Sequence, residues 1–316
     1  MEYRRCGNSG LLMSAISLGL WQNFGECDSP VSAREIILTA YENGVTQFDL
    51  ANNYGPPPGA AERTFAHVLQ NDLKNHRNKI LITTKAGHPM WDGPYGDWAS
   101  RKHLVASCDE SLARLGVDYV DIFYSHRYDP QTPLHETMGA LDFKVRSGRA
   151  LYVGLSKYPA DKLIEAIDIL RQLGTPIVVD QLRYSLLVRS PEEAHFSAHA
   201  HKGIGCVSFS PLAQGQLSSR YADGIPEDSR AARATSMLEV SEVQSNAEKV
   251  RALYSIAKNR GQSLSQMAIA WQLHDRRITS VIVGASRKSQ LIENLGALNN
   301  TKFTSDELDQ IDKITL

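Results

Sequence analysis

Cysteine is scarce in this 316-residue chain: Cys6, Cys27, Cys108 and Cys206 are the only four, and no two form a CxxC pair. That spacing suggests neither a zinc site nor a thioredoxin-like centre, so no metal is expected. Long apolar runs are missing too. Nothing approaches the roughly 18 residues of a membrane helix, and residues 1–5 lead into Gly, Asn and Ser rather than the apolar stretch of a signal peptide. The expectation is a cytoplasmic protein with reduced thiols and no membrane partner. Neither sign of charge prevails: 34 Lys and Arg face 35 Asp and Glu, a net charge of −1. That argues against a dedicated nucleic-acid binder. No low-complexity tract, internal repeat or inter-domain linker interrupts the chain, and residues 1–316 are expected to form one domain.

What is present is an alternation. Strand-like runs lie at residues 16–20, 45–49, 80–85, 120–126, 150–156, 177–181, 205–210 and 280–283. Several are near-continuous apolar stretches, the mark of parallel strands buried on both faces. Helical patterns lie between them. Residues 32–43 offer Ser32 as an N-cap with Glu35 three residues on, a capping box, and Gly44 follows at the C-cap. Residues 100–115 place Leu104, Cys108, Leu112 and Leu115 at helical spacing, with Gly116 after them. Residues 133–147 and 159–173 start with proline, which suits a first helical turn; residues 242–260 and 264–274 continue the series. Eight such units predict a single (β/α)8 TIM barrel. The rival doubly wound fold normally carries GxGxxG after its first strand, and none occurs. Extra helical patterns at 218–241, before the seventh barrel helix, and at 305–314 break the rhythm.

Barrel chemistry sits where strands end. Here the second strand ends in Asp49, and its loop carries Tyr54. The third ends in Lys85 and the fourth in His126. Each alone could be structural; together they make chemical sense. A phenol is a weak acid at neutral pH. A buried ammonium beside it lowers its pKa, and a carboxylate keeps that ammonium charged. A histidine can orient a carbonyl oxygen. The set is a proton donor poised over a carbonyl, and no side chain supplies a hydride, so a nicotinamide cofactor is implied.

In this order and spacing, Asp49, Tyr54, Lys85 and His126 resemble the catalytic tetrad of the aldo-keto reductases, with the run Phe48-Asp49-Leu50-Ala51-Asn52-Asn53-Tyr54-Gly55 at its centre. The resemblance extends over essentially the whole chain. Residues 51–59 (ANNYGPPPG), 84–96 (TKAGHPMWDGPYG) and 121–127 (DIFYSHR) are similar to the branch of the family that reduces L-glyceraldehyde 3-phosphate, relatives of the potassium-channel β subunits. The resemblance implies NADPH-dependent reduction of small aldehydes of the L-glyceraldehyde 3-phosphate or methylglyoxal class, with Tyr54 donating the proton. It implies cofactor contacts from Trp21, Asp49, Ser156, Gln181, Phe209, Ser210, Pro211 and Leu212, and from Gly284, Ser286, Arg287, Gln290, Glu293 and Asn294 at the adenosine end. Lys157 stands where the family more often has Asn, Ser or Arg. Physically, a glycine loop entering a helix presents free N–H groups to phosphate, and the Arg287 guanidinium suits a 2′-phosphate, which favours NADP(H) over NAD(H).

Trp21, Tyr54, Trp91, His126 and Arg127 are the expected substrate walls; Arg127 can meet a substrate phosphate or form a surface ion pair. A small aldehyde is the expected partner, and a homo-oligomer is left open. Two other readings compete. A cofactor-sensing, non-catalytic subunit like the channel β proteins would bind NADPH tightly without turnover, but those usually have Asn where this chain has His126. A Schiff-base lyase would use Lys85 as nucleophile, and the tetrad argues against it.

Overall fold

The computed structural model describes residues 1–218 and 240–316. Eight parallel strands close into a barrel: β3 (Ile16–Gly19), β4 (Gln47–Asp49), β5 (Leu81–Ala86), β6 (Val120–Ser125), β7 (Ala150–Ser156), β8 (Ile177–Arg183), β9 (Gly205–Phe209) and β10 (Ser280–Val283), with β10 pairing back onto β3. All eight expected strands are present, with ends within two residues of the expected ones. Before them a short antiparallel hairpin, β1 (Tyr3–Arg5) and β2 (Leu12–Ser14), was not anticipated. It plugs the N-terminal mouth of the barrel. Cys6 Sγ meets the Val178 carbonyl at 3.2 Å, Asn8 N–H donates to Gly203 O at 2.8 Å, and Arg4 donates to the carbonyls of Ile278 (2.9 Å) and Leu273 (2.7 Å). Its Met13 packs with Ile122, Tyr124, Val179, Val207 and Ile282, which fill the barrel interior behind it. Gly154 makes room there, since a Cβ on it would sit 2.4 Å from the Tyr124 ring.

The helices surround the barrel: α1 (Pro30–Glu42), α2 (Ala60–Asn71), α3 (Arg101–Leu115), α4 (Leu134–Arg146), α5 (Ala160–Leu173), α6 (His195–Lys202), α7 (Val240–Asn259), α8 (Leu264–His274), α9 (Lys288–Leu295) and α10 (Ser305–Thr315). Their amphipathic faces and the outward side chains of the strands form one large apolar layer. The start of α1 differs from the expectation. Ser29, not Ser32, is its N-cap, accepting from Ser32 N at 3.3 Å. Pro30 takes the first turn, where its fixed φ and missing donor cost nothing, so Glu35 lies too far along the helix for a capping box. Asn43 is the C-cap and Gly44 follows it at φ +83°. Pro133 and Pro159 are N-caps, one position before the first turn. Ser100 and Gly116 cap α3 as expected.

The expected extra helix at 305–314 is present as α10, and the helical pattern at 242–260 is present as α7. α7 packs on α8 and α10, whereas α8 packs on β10 and so fills the seventh barrel-helix place. The expected extra element at 218–241 lies almost wholly outside the described residues. Among the described residues, no helix is long and apolar enough to cross a membrane.

Candidate active site

Strand alternation sorts the rim residues. On β5, Thr83 and Lys85 point into the barrel, while Thr84 points outward and donates to Glu62 of α2 at 2.6 Å. Asp49 ends the neighbouring β4, inward as well. The Lys85 ammonium is fully buried and donates to Asp49 Oδ2 at 2.7 Å, to Leu50 O at 2.7 Å and to the Tyr54 hydroxyl at 3.2 Å. Those three bonds use all three donors of an ammonium. The Tyr54 oxygen is therefore an acceptor from Lys85, and its own O–H is free to donate elsewhere. Thr83 Oγ1 and Gln181 Nε2 hold Asp49 Oδ1, each at 2.9 Å. His126 follows β6, fixed by its N–H to Ala86 O at 2.9 Å, with its ring centroid 5.9 Å from that of Tyr54. The four residues of the expected tetrad thus meet at one point.

Burial acts to lower the Lys85 pKa, but Asp49 and Tyr54 outweigh it and hold the ammonium above its usual range. For Tyr54, burial is the largest influence and raises the phenol pKa; Lys85 pulls it down and Asp49 adds to the rise. The expectation that Lys85 leaves the phenol pKa lowered is corrected here. The ammonium acts in that direction, yet removal from water acts more strongly, and Tyr54 keeps its proton at neutral pH. Burial and the charge of Lys85 push His126 well below its usual range, so its ring is neutral. His88 stands edge-on to it, 4.4 Å between centroids, and is lowered to about 4, chiefly by burial.

A cleft of about 280 Å³ leads from Asp49 and Tyr54 past Trp21, Gln181 and the run Phe209, Ser210, Pro211 and Leu212 to Gly284, Ser286 and Gln290. Gln290 Oε1 accepts from Ser286 N at 2.9 Å and Ser286 Oγ at 3.2 Å, which shapes the turn into α9. Arg287 is the exposed N-cap of α9, one residue beyond the lining. Glu293 is exposed; Asn294 is buried, its Nδ2 without a partner among the described residues. Ser156 is buried at the end of β7, its hydroxyl likewise without a partner among those residues. A second cavity, about 480 Å³, shares Trp21, Tyr54, Gln181 and Phe209 and adds His126, Asn53, His88, Lys157 and Arg183.

Two expected substrate residues do not line either space. Trp91 packs on His103, 5.0 Å between ring centroids. Arg127 is committed to the loop after β5: it donates to Gly87 O at 2.7 Å, pairs with Asp97 at 2.6 Å and lies 3.7 Å over the Trp98 ring. Of the two roles open to it, the ion pair is the one realised. His88 and Arg183 were missed. A loop histidine and a charged residue at a strand end carry no periodic signal, and only their nearness to the tetrad marks them.

A (β/α)8 barrel whose C-terminal rim gathers a buried Lys–Asp pair, a phenol with a free proton and a long groove has the layout of a barrel oxidoreductase. The Aldo/keto reductase family model matches residues 15–316, and the chain belongs to that family. The L-glyceraldehyde 3-phosphate reductases of Escherichia coli O157:H7 and of Escherichia coli strain K12 are each 48% identical to it, over 99% of this chain and 92% of theirs.

Proposed function

We propose that this protein reduces small aldehydes to alcohols with NADPH, with Tyr54 as proton donor and L-glyceraldehyde 3-phosphate or methylglyoxal marking the substrate class. The observation that carries this reading is the hydrogen-bond pattern at Tyr54. Its oxygen accepts from an ammonium whose other donors are taken by Asp49 and Leu50, so its proton is directed away from Lys85. A carbonyl oxygen reaching Tyr54 can accept that proton, and the neutral His126 ring offers a second hydrogen bond to hold it. As the proton leaves, Lys85 stabilises the phenolate, and Asp49, Thr83 and Gln181 hold Lys85 and its partner in place. The 48% identity to two reductases of L-glyceraldehyde 3-phosphate supports the substrate class.

The groove supports the cofactor. Ser156 Oγ and Asn294 Nδ2 are buried polar atoms without a partner among the described residues, and both belong to the expected cofactor set. Gly284 leaves open space where a Cβ would stand, so the backbone there can approach a phosphate closely. When bound, the nicotinamide supplies the hydride. Gln181 and Ser156 would hold its carboxamide, Phe209 would lie against its ring, and Ser286 and Arg287 would take the 2′-phosphate. The presence of His126 in the complete tetrad favours turnover over a cofactor-sensing subunit. We place the activity in the cytoplasm and in a single domain. The test is NADPH oxidation across a panel of small aldehydes, phosphorylated and not. Aldehyde-dependent turnover is the expected result; tight NADPH binding with no turnover on any of them would overturn the reading.

A further inference from the structure

The cavity beside Tyr54 and His126 is lined by positive charge that carboxylates among the described residues neutralise only loosely. Lys157 and Arg183 both line it, and none of its lining residues is acidic. They come from adjacent strand ends: Ser156 on β7 pairs with Gln181 on β8, Lys157 follows the first, and Arg183 lies two residues beyond the second. Among the described residues, Lys157 has no carboxylate within ion-pair distance. Its Nζ lies 3.4 Å from the neutral ring of His88 and 5.7 Å from the centroid of Phe209. Arg183 has one acidic neighbour among the described residues, Glu242, at a loose 3.8 Å. Lys157 also sits at φ +55°, a left-handed conformation that costs a residue with a side chain about 1 kcal/mol or more. Such strain tends to persist at working sites. Arg127, by contrast, is already paired with Asp97.

We infer that Lys157 and Arg183 form an anion-holding subsite at the substrate end of the cleft, so that aldehydes bearing a phosphate or carboxylate are preferred to neutral ones such as methylglyoxal. The inference rests on the reductase reading for its mention of aldehydes, not for the anion site itself. Burial, together with the charges of Lys85, Arg127 and Arg183, brings Lys157 down to about 8. Lys85 lies at the end of β5 and Arg127 in the loop after β6. Among the described residues the other groups facing Lys157 are His88 and the Phe209 ring, while Glu242 pairs with Arg183 and accepts from Gln216 Nε2 at 3.0 Å. Lys157 is therefore charged below that pH and loses its charge above it.

Two measurements on the NADP⁺- or NADPH-loaded protein test this. The first is calorimetric titration with glycerol 3-phosphate and with glycerol, on the unaltered chain, Lys157→Met, Arg183→Ser and Lys157→Arg. Glycerol 3-phosphate should bind far more tightly than glycerol. Each neutral variant should weaken it about 10-fold or more, the loss typical of one charge-assisted bond, and Lys157→Arg should restore most of it. The second is the ratio of kcat/KM for an anionic aldehyde to that for methylglyoxal, with glyceraldehyde 3-phosphate and succinic semialdehyde as separate arms for phosphate and carboxylate. The ratio should fall in both neutral variants, and in the unaltered chain it should decline as pH rises through about 8. Unchanged titrations in both variants would overturn the subsite, as would a loss confined to NADPH affinity, which would assign the two cations to the cofactor. If no aldehyde is reduced while glycerol 3-phosphate binding depends on both cations, the subsite stands and the reductase reading falls.

Discussion

Tyr54 and Lys85 divide one task between them, and removing each should fail differently. Tyr54→Phe keeps the ring and its packing but deletes the proton donor, so NADPH should still bind while turnover falls about 10²–10⁴-fold, the usual worth of a general acid. Cofactor titration beside steady-state rates would show this, and near-normal rates would remove Tyr54 from the acid role. Lys85→Met also ends turnover, because the phenolate loses its cation. It has a second effect, since it strands Asp49, 2% exposed, without its ion-pair partner. An uncompensated buried charge costs about 3–5 kcal/mol, an upper figure here because Thr83 and Gln181 still bond the carboxylate. Adding Asp49→Asn to Lys85→Met should recover much of that stability in thermal denaturation without recovering turnover. Recovery of both would mean that Lys85 serves the fold alone. The tetrad itself was legible because four chemically coupled residue types end neighbouring strands. The direction of the phenol shift was not, because it depends on how completely the ring is buried, and burial is not written at any one position.

Elements were read best where periodicity ran long. Strands as apolar as β5 and β6, and helices with apolar residues at helical spacing, such as α3, announce themselves. The β1–β2 hairpin did not, because three-residue strands hold too few positions to show alternation. Trp91 was expected at the substrate, and a substrate phosphate was one of two roles left open for Arg127, for a related reason: the loops after β5 and β6 pack on each other, so Arg127 reaches Asp97 and Trp98, and no sequence spacing reveals that contact. The hairpin nonetheless carries a testable share of the fold. Met13 is fully buried among Ile122, Tyr124 and Val179 in the floor of the barrel. Met13→Ala should cost about 2–5 kcal/mol through lost burial and the cavity left behind. Equilibrium denaturation would measure it, and a cost below about 1 kcal/mol would mean that the hairpin is an ornament on a self-sufficient barrel.

At the scale of the whole molecule, the groove ties together parts of the chain far apart in sequence. Its walls come from the ends of β3, β4, β8, β9 and β10, from Gly19 to Gln290. No fragment of the barrel can assemble it, so a ligand that fills it stabilises the entire fold by mass action. At a free concentration 100 times its Kd, NADPH should add about 2.7 kcal/mol, or roughly 4 °C in Tm for a chain of this length. NADH lacks the 2′-phosphate and gains nothing from Arg287, which stands exposed at the head of α9 just past Ser286. In Arg287→Ala the loss of one charge-assisted contact should weaken NADPH about 10–150-fold. At the same NADPH concentration the stabilisation should then fall to about 1.4 kcal/mol or less, near 2 °C, with the NADH shift unchanged. Melting curves of both proteins with both cofactors give the answer in four comparisons. If the variant loses the NADH and NADPH shifts alike, Arg287 supports the turn or the pyrophosphate rather than the 2′-phosphate, and the preference for NADPH must come from elsewhere along the groove.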